Sequence, residues 1–285
     1  MRRRTVWGMF LAMALTLVWG CASMDYVSVA SIAVKTTAKA AEASRPISDS
    51  EEYYIGRAVA ARVLGTNRLV QDPQLILYVN EVGEAVARKS PRPNTFKGYH
   101  FAVLDTSEPN AFACPGGIIF VTRGLVQTCG SEDELAAVLA HEVAHVANKD
   151  GINSISKARW TQVLTTLGTE TAKQYAGAGG QLITLFEGSI DDVFKTIVVN
   201  GYSRSAEEAA DAQAITTLRK AGYDPGALSA LLTKMMAKKG AGTSGIFKTH
   251  PPTSERLAKV KSETPGGTPD KMEAARTKRF QGMKI

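Results

Sequence analysis

An almost wholly apolar segment that contains three ionisable residues places the strongest constraint on this chain. Residues Leu135 to Ala147 read LAAVLAHEVAHVA, in which ten of thirteen residues are apolar and the exceptions are His141, Glu142 and His145. The pattern predicts a buried helix, although burying unpaired polar side chains is costly. Two of the four histidines of the chain lie here, so these polar groups need a common partner inside the fold.

The spacing of the two histidines predicts a zinc site. Residues four apart on a helix share one face, so His141 and His145 can direct ring nitrogens to one ion. Glu142 lies about 100° around the helix, which suits a general base beside a bound water better than a ligand. Together they form H-E-x-x-H, the zinc metalloprotease motif. The alternative, two surface histidines on an amphipathic helix, fits poorly with the apolar surroundings.

A catalytic zinc needs a third protein ligand and an open position for water. The candidates lie in a later predicted helix and are Glu207, Glu208 and Asp211. Glu207 and Asp211 are four apart and share a face, whereas Glu208 is turned away. We predict Glu207 as a ligand of one zinc ion per chain, and Asp211 as the acceptor of the outer N–H of a ligand histidine. Without the upstream motif, these acids would fit a solvated helix face.

The first twenty residues are typical of a bacterial export signal. Arginines at positions 2–4 precede the uncharged stretch Val6 to Trp19, which is short for a transmembrane helix. It ends in LVWGCAS, which resembles a lipobox, so we predict a signal peptide over 1–20, lipidation of Cys21 and a tether over 21–48. An ordinary cleaved signal or an uncleaved anchor is the alternative. No aspartate follows Cys21, which resembles the sorting rule for the periplasmic face of the outer membrane.

Charge and cysteine content limit the other partners. The net charge is +7, but no basic patch interleaved with aromatics is present, so nucleic acid is not expected as a partner. Part of the excess lies in residues 261–285, which we interpret as a basic, disordered tail that could lie against anionic lipid. Cys114 and Cys129 could form a disulfide in an oxidising compartment or be buried separately, and the sequence leaves both open.

Hydrophobic periodicity predicts an α+β domain over residues 49–260. The strands are YHFAVLDT and GGIIFVTRG, with SEPNAFACP as a loop between them. Ser50 is the expected N-cap of the first helix, and Ser131 with Glu134 a capping box before the zinc-motif helix. The other predicted helices are EEYYIGRAVAARVLG, LILYVNEVGEAVARK, a hairpin around AGAGG within 153–200, the segment 201–222, DPGALSALLTKMMAKK and, as the last helix, THPPTSERLAKV.

Several ordered blocks of the chain resemble the gluzincin zinc metallopeptidases, which include the CAAX prenyl endopeptidases, the mitochondrial Oma-type stress proteases and bacterial envelope quality-control proteases. The blocks are DPQLILYVNEVGEAVA, EPNAFACPGGIIFVTRGLV, SEDELAAVLAHEVAHV, YSRSAEEAAD and THPPTSERL. The resemblance implies a mainly helical zincin-like domain with a small mixed or antiparallel sheet, whose edge strand borders the active site. The E-x-x-x-D pattern of the family falls on Glu207 and Asp211.

The resemblance also implies roles for residues outside the zinc motif. The segment Asn110 to Val121 corresponds to the edge strand beside the zinc, where an extended peptide can pair through main-chain hydrogen bonds. His250, in the H-P-P-T block, is implied to approach the zinc and to restrain activity or assist at the transition state; a capping or packing histidine is the alternative. His100 lies outside any motif and is expected to be structural. The implied substrate-binding residues are Asn110, Ala111, Phe112, Gly116, Gly117 and Ile118.

These observations predict a zinc metalloendopeptidase that acts on unfolded or misfolded envelope polypeptides and is anchored through Cys21. Glu142 is the expected general base, and His250 the second expected catalytic residue. A zinc-dependent chaperone or scaffold lipoprotein with little proteolysis is the first alternative, and the intact Glu142 argues against it. A binding lipoprotein with a structural zinc is the second, but such sites close all four positions, usually with cysteines, and none lies near His141 in sequence.

Overall fold

The helix that carries the H-E-x-x-H motif lies at the centre of the fold. In the computed structural model, which describes residues 46–155, 179–237, 245–265 and 272–283, every residue of this helix up to Val146 is buried. Helices from both ends of the chain and one strand pack around it. The described helices, numbered in chain order, are α1 (Asp49–Leu64), α2 (Pro73–Ala87), α3 (Arg123–Thr128), the motif helix α4 (Glu132–Ala147), α5 (Asp150–Asn153), α6 (Gly179–Phe194), α7 (Arg204–Ala221), α8 (Gly226–Ala237), α9 (Ile246–Thr249), α10 (Ser254–Glu263) and α11 (Glu273–Gly282).

A mixed three-stranded sheet packs beside α4 and confirms the predicted α+β class. The strands are β1 (His100–Leu104), β2 (Ala111–Cys114) and β3 (Ile118–Thr122), in the spatial order β1-β3-β2. β1 pairs with β3 in parallel and β2 pairs with β3 antiparallel. The prediction of a loop between β1 and β3 is wrong for the four residues of β2, because a strand this short between two prolines carries too little alternation to be recognised.

The strand after the glycines lies in the middle of the sheet. β3 pairs with both neighbours, so only the first part of the segment Asn110 to Val121 belongs to an edge strand. The turn between β2 and β3, Pro115–Gly117, contains Gly116 at φ 76° and Gly117 at φ 107°. Such angles are strained for residues with a side chain, which explains the pair of glycines at this turn.

Polar caps fix the starts of the long helices. α1 begins after Ser48, which forms a reciprocal capping box with Glu51, so the N-cap lies two residues before the predicted Ser50. The capping box predicted for α4 forms only in part. The hydroxyl of Ser131 accepts from the N–H of Glu134, but the Glu134 carboxylate accepts instead from the N–H of Gly130 because it also pairs with a lysine of α8.

The basic C-terminal segment contains a packed helix, so the prediction of a disordered tail over 261–285 is wrong for residues 273–282. α11 inserts Phe280 into the core, where it is 8% exposed. Arg276 of the same helix pairs with Asp133 at 2.9 Å, and Arg279 pairs with Glu132 at 2.6 Å. Both acids lie in the first turn of α4. The folded region therefore extends beyond residue 260, and α10 is not the last helix.

Some predictions fall outside the described residues. These are the signal peptide, Cys21, the tether up to residue 45 and the first part of the hairpin predicted within 153–200. In the second part, α6 continues into the π-helical segment Lys195–Asn200. None of the helices in the described ranges combines the length and the apolar character needed to cross a bilayer.

Candidate metal centre

Two neighbouring helices carry the residues predicted for the zinc site. α4 supplies His141, Glu142 and His145, and α7 supplies Glu207 and Asp211; each of the five exposes 6% or less of its surface. α7 begins after the N-cap Ser203, which places Glu207 in its first turn. Because α7 packs along α4, the carboxylates of one helix face the imidazoles of the other.

Four donor atoms meet at one point between these helices. Nε2 of His141 lies 3.1 Å from Nε2 of His145 and 3.3 Å from Nδ1 of His250. The Glu207 carboxylate lies 3.4 Å from Nε2 of either α4 histidine and 2.9 Å from Nδ1 of His250. A tetrahedral zinc ion with bonds of about 2.0–2.1 Å has donor–donor edges of about 3.3 Å. The separations quoted, 2.9–3.4 Å, are close to these edges, and one donor atom from each residue lies within 4.8 Å of the other three, so the four residues can share one ion.

The chemistry of the donors also fits zinc. Three imidazole nitrogens and one carboxylate oxygen form the set, and zinc binds such mixtures of nitrogen and oxygen ligands. Next to them, Oε2 of Glu142 is buried and has no hydrogen-bond partner within the described residues. An unpartnered buried carboxylate oxygen costs free energy, which a metal ion with its water would offset.

Two further carboxylates hold the outer nitrogens of the α4 histidines. Oδ1 of Asp211 lies 3.0 Å from Nδ1 of His141, and Oδ2 of Asp150 lies 2.7 Å from Nδ1 of His145. Partners of this kind fix the orientation of a ligand ring and leave Nε2 free for the metal. Asp211 thus lies beside the outer nitrogen of His141, and its predicted role as acceptor of that N–H stays a prediction. Asp150, at the start of α5, was not predicted. It lies five residues after His145, a separation that does not indicate a shared helix face.

Arg256 joins both carboxylates of α7. Its guanidinium donates two hydrogen bonds of 2.8 Å to Asp211, and its Nη1 lies 2.7 Å from Oε2 of Glu207. Burial would raise the pKa of Asp211, but hydrogen bonds from Arg256 and His141 outweigh it and hold that pKa at about 2. Arg256 follows His250 in the block THPPTSERL, and sequence reasoning missed its role because nothing local links it to α7.

The carboxylates make the centre favourable for a cation. Burial lowers the pKa of His141, but Asp211 and Glu207 outweigh it and raise that pKa to about 10. The pKa of His145 is also raised, because Asp150 and Glu207 outweigh burial. In the absence of metal these carboxylates favour the protonated form of the rings, and zinc competes with those protons. Zinc affinity is expected to fall as the pH falls.

Tyr202 completes the wall of the centre and was also missed. Its ring stacks on that of His145, with centroids 4.2 Å apart and planes 24° apart. Burial raises the pKa of its phenol well above the usual value, so the hydroxyl stays protonated. The residue lies in the block YSRSAEEAAD, five positions before Glu207. The stacking limits rotation of the His145 ring.

The comparison with known families agrees with this geometry. The model of peptidase family M48 matches residues 73–264, well over half of the chain, and this range includes all the donors described above. The chain belongs to peptidase family M48. Zinc is accordingly the cofactor, and the group of His141, His145, Glu207 and His250 is the one in the described residues that could hold it.

Curated relatives within the M48 family come from bacteria and mitochondria. The chain is 26% identical over 223 residues to the Beta-barrel assembly-enhancing protease of Escherichia coli, covering 77% of this chain and 45% of the relative. It is 30% identical over 191 residues to the Mitochondrial metalloendopeptidase OMA1 of Schizosaccharomyces pombe, covering 66% and 53%. It is 26% identical over 234 residues to a Protease HtpX homolog of Salinibacter ruber, covering 73% and 81%. The chain thus spans about half the length of the first two.

The residues predicted to bind substrate lie at and beside the edge of the M48 sheet, mostly buried. Ala111 and Phe112 belong to edge strand β2, and Ile118 begins β3. The side chain of Asn110 accepts from the N–H of Ala111 and contacts the hydroxyl of Thr249, so it joins β2 to α9. Gly116 and Gly117 pack against α1 and the Thr95–Gly98 turn: an added Cβ would lie 2.7 Å from Tyr53 and 2.8 Å from the oxygen of Gly98.

The remaining residues singled out in the sequence have simpler surroundings. His100 is exposed, and its Nε2 lies 3.1 Å from the carbonyl oxygen of Lys97. Glu208 faces outward and pairs with Lys259 at 2.9 Å. Cys114 and Cys129 are both buried as free thiols. They are therefore buried separately and do not form a disulfide with each other. Burial raises the pKa of both thiols, which makes them poor nucleophiles.

Proposed function

We propose that this chain is a zinc-dependent metalloendopeptidase that hydrolyses peptide bonds in unfolded or misfolded proteins of the bacterial cell envelope. The observation that carries the proposal is the position of Glu142. Its side chain is 1% exposed and follows a zinc donor directly in sequence, beside donors that can share one ion. In a site with only a structural role, a buried carboxylate oxygen without a partner among the described residues would cost free energy and contribute nothing.

The residues of the site have separate roles in hydrolysis. His141, His145 and Glu207 would hold the zinc, with Asp211, Asp150 and Arg256 fixing their positions. When bound, zinc polarises the substrate carbonyl and lowers the pKa of water. Glu142 accepts a proton from the attacking water and delivers it to the leaving amine, so that it ends the cycle in its starting state.

His250 occupies the place of a fourth donor. Its Nδ1 lies 3.3 Å from Nε2 of His141, and its Nε2 lies 3.6 Å from Oε1 of Glu142. A catalytic zinc keeps one position open for water, so this arrangement corresponds to a restrained enzyme. His250 follows the four-residue helix α9 and precedes two prolines. We infer that movement of this short segment opens the fourth position.

The location and substrate class rest on the relatives and on the first residues of the chain. Proteins named Beta-barrel assembly-enhancing protease are relatives over most of this chain, which supports a role in quality control of envelope proteins. We propose that residues 1–20 are a signal peptide and that Cys21 carries a lipid at the periplasmic face of the outer membrane. Substrate peptides would then pair with the edge of the sheet along β2, where Cys114 lies close enough to Glu142 for its pKa to be affected.

Removal of the metal is the direct test of this function. We expect the purified chain to contain about one zinc per molecule and to cleave a permanently unfolded protein such as reduced, carboxymethylated casein. Dialysis against a chelator should abolish cleavage, and one equivalent of zinc should restore it. Metal content is measured by mass spectrometry and cleavage by product analysis. Zinc-loaded protein that suppresses aggregation of unfolded clients without cutting them would favour the chaperone alternative instead.

Replacement of His250 tests the restrained arrangement. In His250→Ala the other three donors remain, so zinc should stay bound while the fourth position becomes open. Cleavage of unfolded casein should therefore rise several-fold, measured as initial rate per bound zinc. Loss of zinc from the variant would assign His250 to a closed, structural site. Retained zinc with a lower rate would mean that His250 assists at the transition state rather than restraining the enzyme.

A further inference from the structure

The chain turns sharply just after the helix that carries the zinc motif. Lys149 lies between α4 and α5 with φ 57° and ψ 32°, and among the described residues it is the one residue other than glycine with a positive φ. This left-handed conformation is unfavourable for a residue with a side chain and persists only where surrounding contacts maintain it. The surroundings of Lys149 show both what the turn positions and what maintains it.

The left-handed turn places Asp150 beside the proposed zinc ligand His145. On a continuous helix, residues five apart lie about 140° around the axis, so the carboxylate of Asp150 would face away from the ring of His145. With Lys149 in the left-handed conformation, α5 starts in a new direction and Oδ2 of Asp150 lies 2.7 Å from Nδ1 of His145. The conformation of Lys149 therefore decides whether His145 has this carboxylate partner.

Two carboxylates of α1 hold the side chain of Lys149. Its Nζ lies 2.9 Å from Oδ1 of Asp49 and 3.4 Å from Oε2 of Glu52. Asp49 exposes 55% of its side chain, whereas Glu52 exposes none. Because solvent and salt screen exposed charges more than buried ones, Glu52 is the less screened of the two partners. Both contacts draw the Lys149 side chain towards α1.

The carboxylate of Glu52 is itself fixed by three contacts. Arg92 donates one hydrogen bond of 2.9 Å to each of its oxygens, and the N–H of Gly116 donates to Oε1 at 3.0 Å. Arg92 also donates to the carbonyl oxygen of Val146, in the last turn of α4, at 3.4 Å. Glu52 thus joins α1, the turn between β2 and β3 and the end of α4, so the point to which Lys149 is drawn is fixed as well.

We propose that Glu52 and Lys149 are positioning residues of the metal centre. Their ion pair keeps Lys149 in the left-handed conformation, which holds Asp150 against the ring of His145 and raises the affinity for zinc. Both residues act through Asp150 rather than on the metal directly. The inference rests on the zinc centre of the proposed function. An ion pair that served only the packing of α1 would stabilise the fold without changing zinc affinity.

Substitutions of Lys149 separate its conformation from its charge. Lys149→Ala removes the cation and keeps a Cβ, so the left-handed conformation loses its support. The affinity for zinc should then fall about tenfold, as is common when the carboxylate behind a metal-binding histidine is lost. Lys149→Gly also removes the cation, but glycine adopts the left-handed conformation freely. Its affinity should return to within about threefold of wild type, measured as the zinc Kd by competition with a chromophoric chelator at constant pH.

The outcomes of this comparison separate the inference from the proposed function. An unchanged Kd in Lys149→Ala, or equal losses in both variants, would overturn the inference while the wild-type chain still binds zinc and cleaves protein. Lys259→Ala is the matched control, because Lys259 also pairs with a glutamate, at 2.9 Å, but lies on α10; its Kd should not change. An equal loss in this control would assign the effect to net charge and would also overturn the inference. A wild-type chain without zinc affinity would overturn the proposed function itself.

A combination of variants tests whether Glu52 acts through Lys149. Glu52→Gln should weaken zinc binding about three- to tenfold, because the amide no longer attracts the Lys149 ammonium. In the Lys149→Gly background the same substitution should leave the Kd unchanged, since glycine needs no ion pair to turn. Circular dichroism verifies folding, and the two Lys149 variants decide the inference alone where Glu52→Gln does not fold. Equal losses in both backgrounds would show that Glu52 acts through the packing of α1 and would overturn its positioning role.

Discussion

Glu142→Gln is expected to reduce the rate of peptide-bond cleavage by roughly a thousandfold, because general acid–base catalysis commonly contributes 10²–10⁴-fold. The carboxylate oxygens of Glu142 are buried in the site, one of them without a partner in the described residues and the other 3.6 Å from His250. Glutamine keeps the shape of the side chain but cannot accept the proton of the attacking water. The loss should appear in kcat with little change in KM.

The control for this variant is metal content. Glu142 is not among the four clustered donors, so zinc should be retained at the wild-type level, measured on the same preparation. Glu208→Gln is the matched substitution, since Glu208 lies on the outer face of α7 and pairs with Lys259; it should leave both zinc and activity unchanged. A Glu142→Gln protein that binds zinc and cleaves casein at the wild-type rate would refute the proposed mechanism.

The metal centre was predictable from sequence where its geometry is local. His141 and His145 are one helical turn apart, and Glu207 and Asp211 repeat the same spacing on α7, so the helix period alone predicts which side chains share a face. The structure brings these two faces together within hydrogen-bonding distance. Asp150 and Arg256 were not predicted, because packing between separate elements determines which residues they contact. Such packing leaves no periodic pattern in the sequence.

The difference between local spacing and contacts made by packing also explains which predictions of the fold were wrong. β2 is a strand because it pairs with β3, and its four residues between Pro109 and Pro115 hold too few positions to show alternation. The helix α11 was interpreted as a tail because its sequence is rich in Arg and Lys, as solvated segments are. Two of these residues, Arg276 and Arg279, pair with acidic residues of α4 that lie more than 140 residues earlier in the chain.

Arg276→Met is expected to lower the free energy of unfolding by about 3 kcal/mol, because it leaves a buried carboxylate without its cation. Arg276 and Asp133 are 5% and 6% exposed at their side chains and lie 2.9 Å apart. The guanidinium also donates to the carbonyl of Gly222 and lies 5.3 Å from the ring centre of Tyr223. For a domain of this size, the loss corresponds to a fall in Tm of roughly 6–12 °C, measurable by circular dichroism.

Two comparisons isolate the buried charge as the cause. Lys259→Met removes a cation whose partner Glu208 is also exposed, at 47% and 39% of their side chains, so solvent screening should limit its effect to about 1 kcal/mol or less. Asp133→Asn combined with Arg276→Met should recover much of the loss, because the amide oxygen can still accept from the N–H of Asp224, as Asp133 does at 2.8 Å. If the single variant Arg276→Met unfolds at the wild-type temperature, the pair of Arg276 and Asp133 does not stabilise the start of α4. If the double variant is no more stable than Arg276→Met, the loss comes from packing and not from the unpaired charge.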